Sequence, residues 1–375
     1  MLLIEADGKA LLHQAGITLP VATETSTTVT TLPGDGPWMV KSQVTVGGRY
    51  KAGGIAKCET LTAVNDSLTR MFRDGVKSYP VRTCLIEQVV SGSERYISVM
   101  VDPAGYGFRV IYGVEGGIEI ETSDSARGLL CPPHPTAVAE ALADLVQGEP
   151  IESRDAIIQV GRQLASLVVD RELALAEINP LFVVGSECIA GDAKLVIDLN
   201  AIDRQPDLAA FIKNRPDVYV DANRKLLEGF DYVELDPHGE VGLITTGAGL
   251  SMMLVDEMIQ RGMKPLNFCD IRTGQMRGSP ARLMRVLEWI NGSTSLKAIL
   301  VNIFAGITDL SEFATLLSKA LEGTPSLKVP VIARLVGRNA NAADRILRET
   351  RPDVFVTEDL AAALAKIEGI AGAKP

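Results

Sequence analysis

The chain has 375 residues, 46% hydrophobic and 22% charged, with a formal net charge of −10. That length predicts two or three domains with ample core, and the acidic balance excludes broad binding to a nucleic-acid backbone, which needs a basic face. Cys58, Cys84, Cys131, Cys188 and Cys269 form no C-x-x-C pair, and their odd number points to reduced thiols in a cytoplasmic setting. Glu5, Asp7 and Lys9 interrupt the opening segment and no run of about 18 apolar residues occurs, so neither a signal peptide nor a membrane span is expected.

In chain order, residues 1–20 predict a short amphipathic helix with Leu2, Leu3, Leu11, Leu12 and Ile17 as its stripe, ending near Gly16. Residues 37–44 (PWMVKSQV) read as a buried strand, followed by the loop GGRYKAGG and then a helix from KCETLTAVNDSLTRMF. TCLIEQVV, RYISVMVD and RVIYGVEGGIEIE read as strands, AVAEALADLV and DAIIQVGRQLASLVVDRE as helices, and LVIDLNAI as a closing strand. The polar, proline-bearing residues 203–229 suit a connector. Beyond it, four apolar strands each run into a helix, three of them through a glycine turn, which predicts a parallel, doubly wound sheet. Ligands of such sheets sit at the carboxyl ends of the strands, here the loops TTGAGL, FAGIT and LVGRNA. The expected domains are 1–228 and 229–375.

Two distant stretches read as halves of one nucleotide site. In the first, Lys41 lies within an apolar strand, where it is either an edge lysine reaching water or a phosphate contact. The loop after it offers four glycines, Arg49 and Lys51, suited to cradle phosphates, although it is neither a Walker loop nor G-x-G-x-x-G. Glu87 and Glu94 end or turn strands, where a carboxylate either meets solvent or accepts from a nucleoside. In the second stretch, LAEINPL followed by GDAK offers Glu177, Asn179 and Asp192, hard oxygen donors of the kind Mg²⁺ takes. Glu177 and Asn179 are two apart on an extended segment and so share a face, Pro180 is expected to fix a turn, and Asp192 is expected on the next strand.

The motifs GGRYKAGG, EGGIEIE (115–121), LAEINPL, GDAK, RQPDL (204–208), GAGL (247–250) and VNIFAGI (301–307) resemble, in order and spacing, those of the β subunit of succinyl-CoA synthetase. More widely they resemble ADP-forming acid–CoA ligases, among them malate–CoA and sulfoacetate–CoA ligases. The resemblance implies an ATP-grasp domain followed by a flavodoxin-like CoA-ligase domain. It implies that Lys41 and the backbone at Gly48, Arg49 and Tyr50 bind the phosphates of ATP or GTP. Glu87, Val90 and Glu94 would line the nucleoside pocket, and Asn179 and Asp192 would hold Mg²⁺. Glu177 would be the catalytic residue that positions a phosphohistidine, and Thr246, Gly306, Ile307 and Thr308 would receive a small carboxylic acid. That histidine belongs to an α subunit in the family. His13, His134 and His238 have no such context here, so the resemblance implies a partner chain carrying the phosphohistidine and most of the CoA site, in an αβ or α2β2 assembly.

The sequence departs from the family on the acid side. Thr246 replaces an asparagine, CDIRTGQMRGSP (269–280) replaces a glycine-rich run and introduces Arg272 and Arg277, Ala305 and Thr308 alter G-G-I-V, Val336 removes an acid and Arg338 is gained. On the nucleotide side Tyr50 stands where glycine is usual. An arginine fork pairs well with carboxylate or sulfonate. These changes point to a compact acid with a second anionic or hydroxyl group, such as sulfoacetate or malate, unless the arginines face solvent. The alternatives are a true succinyl-CoA synthetase β subunit, a stand-alone ATP-grasp ligase, or a non-catalytic nucleotide-binding regulatory subunit.

Overall fold

Alternating apolar residues and short turns give the first part of the chain antiparallel sheets, while the longer apolar runs of the last third pair in parallel. The computed structural model describes residues 1–77, 79–116, 126–276 and 278–372, so Arg277 and most of the EGGIEIE segment lie outside the described residues. The chain divides into two compact units, Met1–Tyr219 and Val220–Pro375.

The first unit carries α1 (Glu5–Gln14), β1 (Ala22–Thr25), β2 (Trp38–Ser42), β3 (Ile55–Cys58), α2 (Leu61–Asp74), β4 (Cys84–Gln88), β5 (Ser93–Asp102), β6 (Gly107–Gly113) and β7 (Ala126–Cys131). It continues with α3 (Pro135–Leu145), α4 (Ile151–Asp170), β8 (Leu173–Val184), β9 (Glu187–Ala190), β10 (Lys194–Ile197) and α5 (Pro206–Asn214). One antiparallel sheet has the order β1-β4-β2-β3 and a second the order β10-β8-β5-β6-β7, with β9 on β8. Under the first sheet, Val64, Leu68 and Met71 of α2 pack with Val40, Cys84 and Ile86. The second sheet carries its buried residues Ala176, Ile178 and Leu181 on one face of β8, leaving Leu175, Glu177 and Asn179 on the other.

Three expectations change here. Residues 206–214 form a helix with Leu208 and Ile212 buried, and buried Tyr219 donates its hydroxyl to Asp7 Oδ2 at 2.7 Å. The segment expected to be a connector is therefore, up to Tyr219, part of the first unit, because its apolar residues at helical spacing outweigh its prolines. Strand β8 continues through Pro180, whose peptide bond is cis, instead of turning there. Asp192 sits in the short link between β9 and β10, not on a strand.

The second unit begins with α6 (Val220–Asn223) and a π-helical segment (Arg224–Glu228), then β11 (Asp231–Glu234), β12 (Val241–Thr245), α7 (Ala248–Gln260) and β13 (Asn267–Asp270). There follow α8 (Ala281–Asn291), β14 (Ala298–Ala305), α9 (Leu310–Glu322), β15 (Val331–Gly337), α10 (Ala340–Thr350), β16 (Phe355–Thr357) and α11 (Leu360–Ala371). Its sheet has the order β11-β13-β12-β14-β15-β16, parallel throughout except for antiparallel β11 at the edge. Strand β14 is buried on both faces. Ile299, Val301 and Ile303 meet α8, α9 and α10, whereas Ala298 and Leu300 meet α7 and α11. Each of the isoleucine, valine and leucine side chains among these contributes about 1.5–3 kcal/mol through burial. Among the described residues no helix is long and apolar enough to cross a membrane.

Candidate functional site

The site of the first unit is built on charges brought inward. Met39 on β2 pairs with Glu87 on β4, so Lys41 and Glu87 share one face of that sheet. Helix α1 adds Glu5 and Lys9, one turn apart and both buried. Lys41 Nζ lies 2.7 Å from Glu5 Oε1, 2.6 Å from Glu87 Oε2 and 2.6 Å from the carbonyl oxygen of Gly191. Lys9 Nζ contacts Glu87 Oε1, Glu5 Oε1 at 2.9 Å and the Gly191 carbonyl at 3.0 Å. Arg49 donates Nη2 to Glu5 Oε2 at 2.6 Å, Nη1 to the Ser42 carbonyl at 2.9 Å, and lies 3.4 Å from Asp192. Lys9, Lys41 and Arg49 thus face Glu5, Glu87 and Asp192. An unpaired charge at this depth would cost several kcal/mol, and the pairing avoids it.

The electrostatics follow from this packing. Burial alone would raise Glu5, but Lys41, Lys9 and Arg49 outweigh it and hold its carboxyl well below the usual range. Burial would lower Lys41, yet Glu5 and Glu87 raise it overall. Asp192 is raised by burial and by Glu5, against the opposing pull of Arg49 and Lys41. Two glycines make the close approach possible. A Cβ on Gly191 would lie 2.5 Å from the Phe182 ring and 2.9 Å from the Pro180 carbonyl, and one on Gly54 would lie 2.6 Å from Ser42 Oγ.

The loop after β2 turns on itself through the amides of Ala52, Gly53 and Gly54, which bond back to Arg49 and Tyr50. The amides of Gly48, Arg49 and Tyr50 donate to no group among the described residues, which is what an anion cradle requires. Gly48 has φ +67°, and the Tyr50 side chain is exposed. Glu87, expected on a nucleoside wall, lies in the ion cluster with both oxygens engaged. Val90 is half-buried just beyond β4, and Glu94 is exposed on β5 opposite Phe182.

The Gly191 amide donates to the Pro180 carbonyl at 2.9 Å, which ties the residue after Asn179 to the residue before Asp192. Among the described residues no group of three His, Cys, Asp or Glu side chains is arranged to hold a metal. An amide and one acid are nonetheless a donor set that suits Mg²⁺, which draws its remaining oxygens from phosphate and water. The Asp192 side chain keeps 28% of its surface open. Glu177 pairs across the sheet with Ser98 and Lys194. Its Oε2 accepts from Tyr96 Oη at 3.1 Å and Lys194 Nζ at 3.3 Å, while Oε1 accepts nothing among the described residues. Glu5, Lys9, Tyr96 and Lys194 are the residues that sequence reasoning did not assign. The one usable signal was an acid and a lysine four apart on a helix that also carries an apolar stripe.

In the second unit, Thr246 is half-buried between β12 and α7. Gly306 is exposed and Ile307 is 96% exposed, whereas Thr308 Oγ1 pairs with Thr273 Oγ1 at 2.6 Å, joining the loops after β14 and β13. Arg272, expected to meet the acid, donates its Nη2 to Asp231 Oδ2 at 2.5 Å on the edge strand. Arg338 lies 3.4 Å from Asp309, whose carboxylate caps α9 by accepting from the Ser311 amide. His13 and His238 are exposed, and His134 Nδ1 caps α3.

The ATP-grasp domain family matches residues 3–183 and the CoA-ligase family residues 244–367. The β subunit of ADP-forming succinate–CoA ligase from Chloroflexus aurantiacus is 34% identical, covering 89% of each chain. The corresponding subunit from Xylella fastidiosa is 31% identical, covering 95% of this chain and 96% of its own. Among solved structures, ATP citrate lyase from Methanothrix soehngenii in complex with citrate and coenzyme A superposes with a TM-score of 0.70 at 16% identity. It covers 100% of this chain and 99% of that one, a likeness of fold. The chain is an ATP-grasp and CoA-ligase protein that belongs to the family of β subunits of ADP-forming succinate–CoA ligase.

Proposed function

We propose that this β subunit uses ATP to phosphorylate a histidine on an α subunit, and that the pair makes an acyl-CoA from a short acid. The observation that carries the reading is the meeting of Lys41 and Arg49 with the Gly191–Asp192 link, beside a loop whose amides at Gly48, Arg49 and Tyr50 are unengaged among the described residues. The amides of Gly48, Arg49 and Tyr50 hold phosphate oxygens, and Arg49 and Lys41 supply positive charge behind them. Asn179 and Asp192 hold Mg²⁺, which when bound neutralises phosphate charge and aligns the group to be transferred. Glu177, fixed on one oxygen by Tyr96 and Lys194, turns its other oxygen to the incoming imidazole and orients it through the far ring N–H. Coenzyme A and the phosphohistidine come mainly from the partner, in the cytoplasm.

Succinate is the first acid on this reading, supported by the names of the relatives. The second reading, a hydroxylated acid such as malate, is favoured by the hydroxyls of Thr246, Thr273 and Thr308. A further anionic group, as in sulfoacetate, is less well supported, since Asp231 and Asp309 already match Arg272 and Arg338. Assay of the co-expressed complex with succinate, malate and sulfoacetate tests this. A kcat/KM for succinate or malate at least about tenfold above that for sulfoacetate is expected, and preference for sulfoacetate would overturn it.

A further inference from the structure

Arg49 lies between two acids that hold it unequally. Behind it, Glu5, whose side chain is wholly shielded from solvent, accepts Nη2 at 2.6 Å. In front, partly open Asp192 receives the same nitrogen at 3.4 Å from both oxygens. The first distance is that of a strong charge-assisted hydrogen bond and the second that of a weak one. Asp192 does not depend on Arg49 for its orientation, because the Ala193 amide donates to Oδ1 at 2.6 Å. Glu5 also takes Lys9 and Lys41 on Oε1, so one carboxylate from α1 fixes all three cations of the cluster.

We propose that Glu5 is a positioning residue for the metal site: by holding Arg49 from behind, it leaves Asp192 able to exchange its long guanidinium contact for a magnesium ion. This rests on the reading of Asp192 as a magnesium ligand. With Asp192 inside the cluster, three cations meet three acids. Once Asp192 turns to a divalent ion, the remaining cluster carries one net positive charge beside the amides of Gly48, Arg49 and Tyr50, where phosphate oxygens enter. Without the Glu5 charge, Asp192 becomes the sole acid partner of Arg49. Their contact then shortens, and a metal ion has to break a full ion pair to bind.

Calorimetric titration of ADP into the full chain in complex with its partner subunit, with and without Mg²⁺, tests this. In the unaltered protein Mg²⁺ is expected to tighten ADP binding, and Asp192→Asn to remove most of that gain. Glu5→Gln is expected to cut the Mg²⁺ gain about tenfold, a larger loss than any change in metal-free ADP affinity. Glu5→Gln combined with Arg49→Gln is expected to recover the gain, because Asp192 no longer has a guanidinium to hold. Glu5→Gln with Lys9→Gln keeps the cluster balanced in charge should the single variant fold poorly, and it is expected to show the same selective loss. An unchanged Mg²⁺ gain in the folded Glu5 variants, an equal loss with and without metal, or no recovery on removing Arg49 overturns the proposal. A wild-type affinity indifferent to Mg²⁺, or a full gain in Asp192→Asn, overturns the metal reading itself and the proposal with it.

Discussion

At the scale of residues, the site depends on a carbonyl that two ammonium groups share. Gly191 provides it, and the space around Gly191 admits no side chain. Gly191→Ala is expected to push the link between β9 and β10 away from Phe182 and Pro180. Overpacking of this kind costs about 1–3 kcal/mol in unfolding free energy. It should also weaken ADP binding, since the shift separates Lys41 and Asp192. Urea unfolding and ADP titration check both, and a variant as stable as the parent contradicts the packing argument. The cluster was only partly legible from sequence. Lys41, Arg49 and Asp192 stood out because glycines and hard oxygen donors surround them. Glu5 and Lys9 did not, because an acid and a lysine four apart on a helix usually form a solvated surface pair. Only the tertiary fold turns that pair inward. The ion pair of Arg272 with Asp231 was not legible either, because the two residues lie 41 apart in sequence and no local pattern links them.

At the scale of elements, the βα units of the second half were readable because long apolar runs buried on both faces differ from helices in length and spacing. The four-residue strands β1, β3, β11 and β13 were not, since so short a run carries no usable period. Helix α9 shows what a terminus adds. The hydroxyl and amide of Ser311, with the Asn339 amide, hold Asp309 down to about 2 from an ordinary 3.8. A depressed carboxylate stabilises the fold fully above its ordinary value and loses that contribution as pH falls toward its folded value. The denaturation midpoint of the protein is therefore expected to fall between about pH 3.8 and 2 more steeply than in Asp309→Asn. Parallel curves for the two proteins would show that the cap does not contribute.

At the scale of the whole molecule, no sheet among the described residues contains strands of both units, and each unit has its own buried clusters. A fragment of residues 1–219 is expected to fold cooperatively and to bind ADP, whereas one ending at residue 203 loses α5 and Tyr219 and should be markedly less stable. Thermal melts of the two decide it, and equal stability would contradict the assignment of 206–219 to the first unit. The central claim is that the two halves of the nucleotide site transfer a phosphoryl group to a histidine of another chain. The most direct measurement incubates the co-expressed complex with ATP labelled on its terminal phosphate and follows acid-labile label on each chain. Label is expected on the partner, reduced at least about a hundredfold by Asp192→Ala. Label on this chain instead, or undiminished labelling in the variant, would contradict the account.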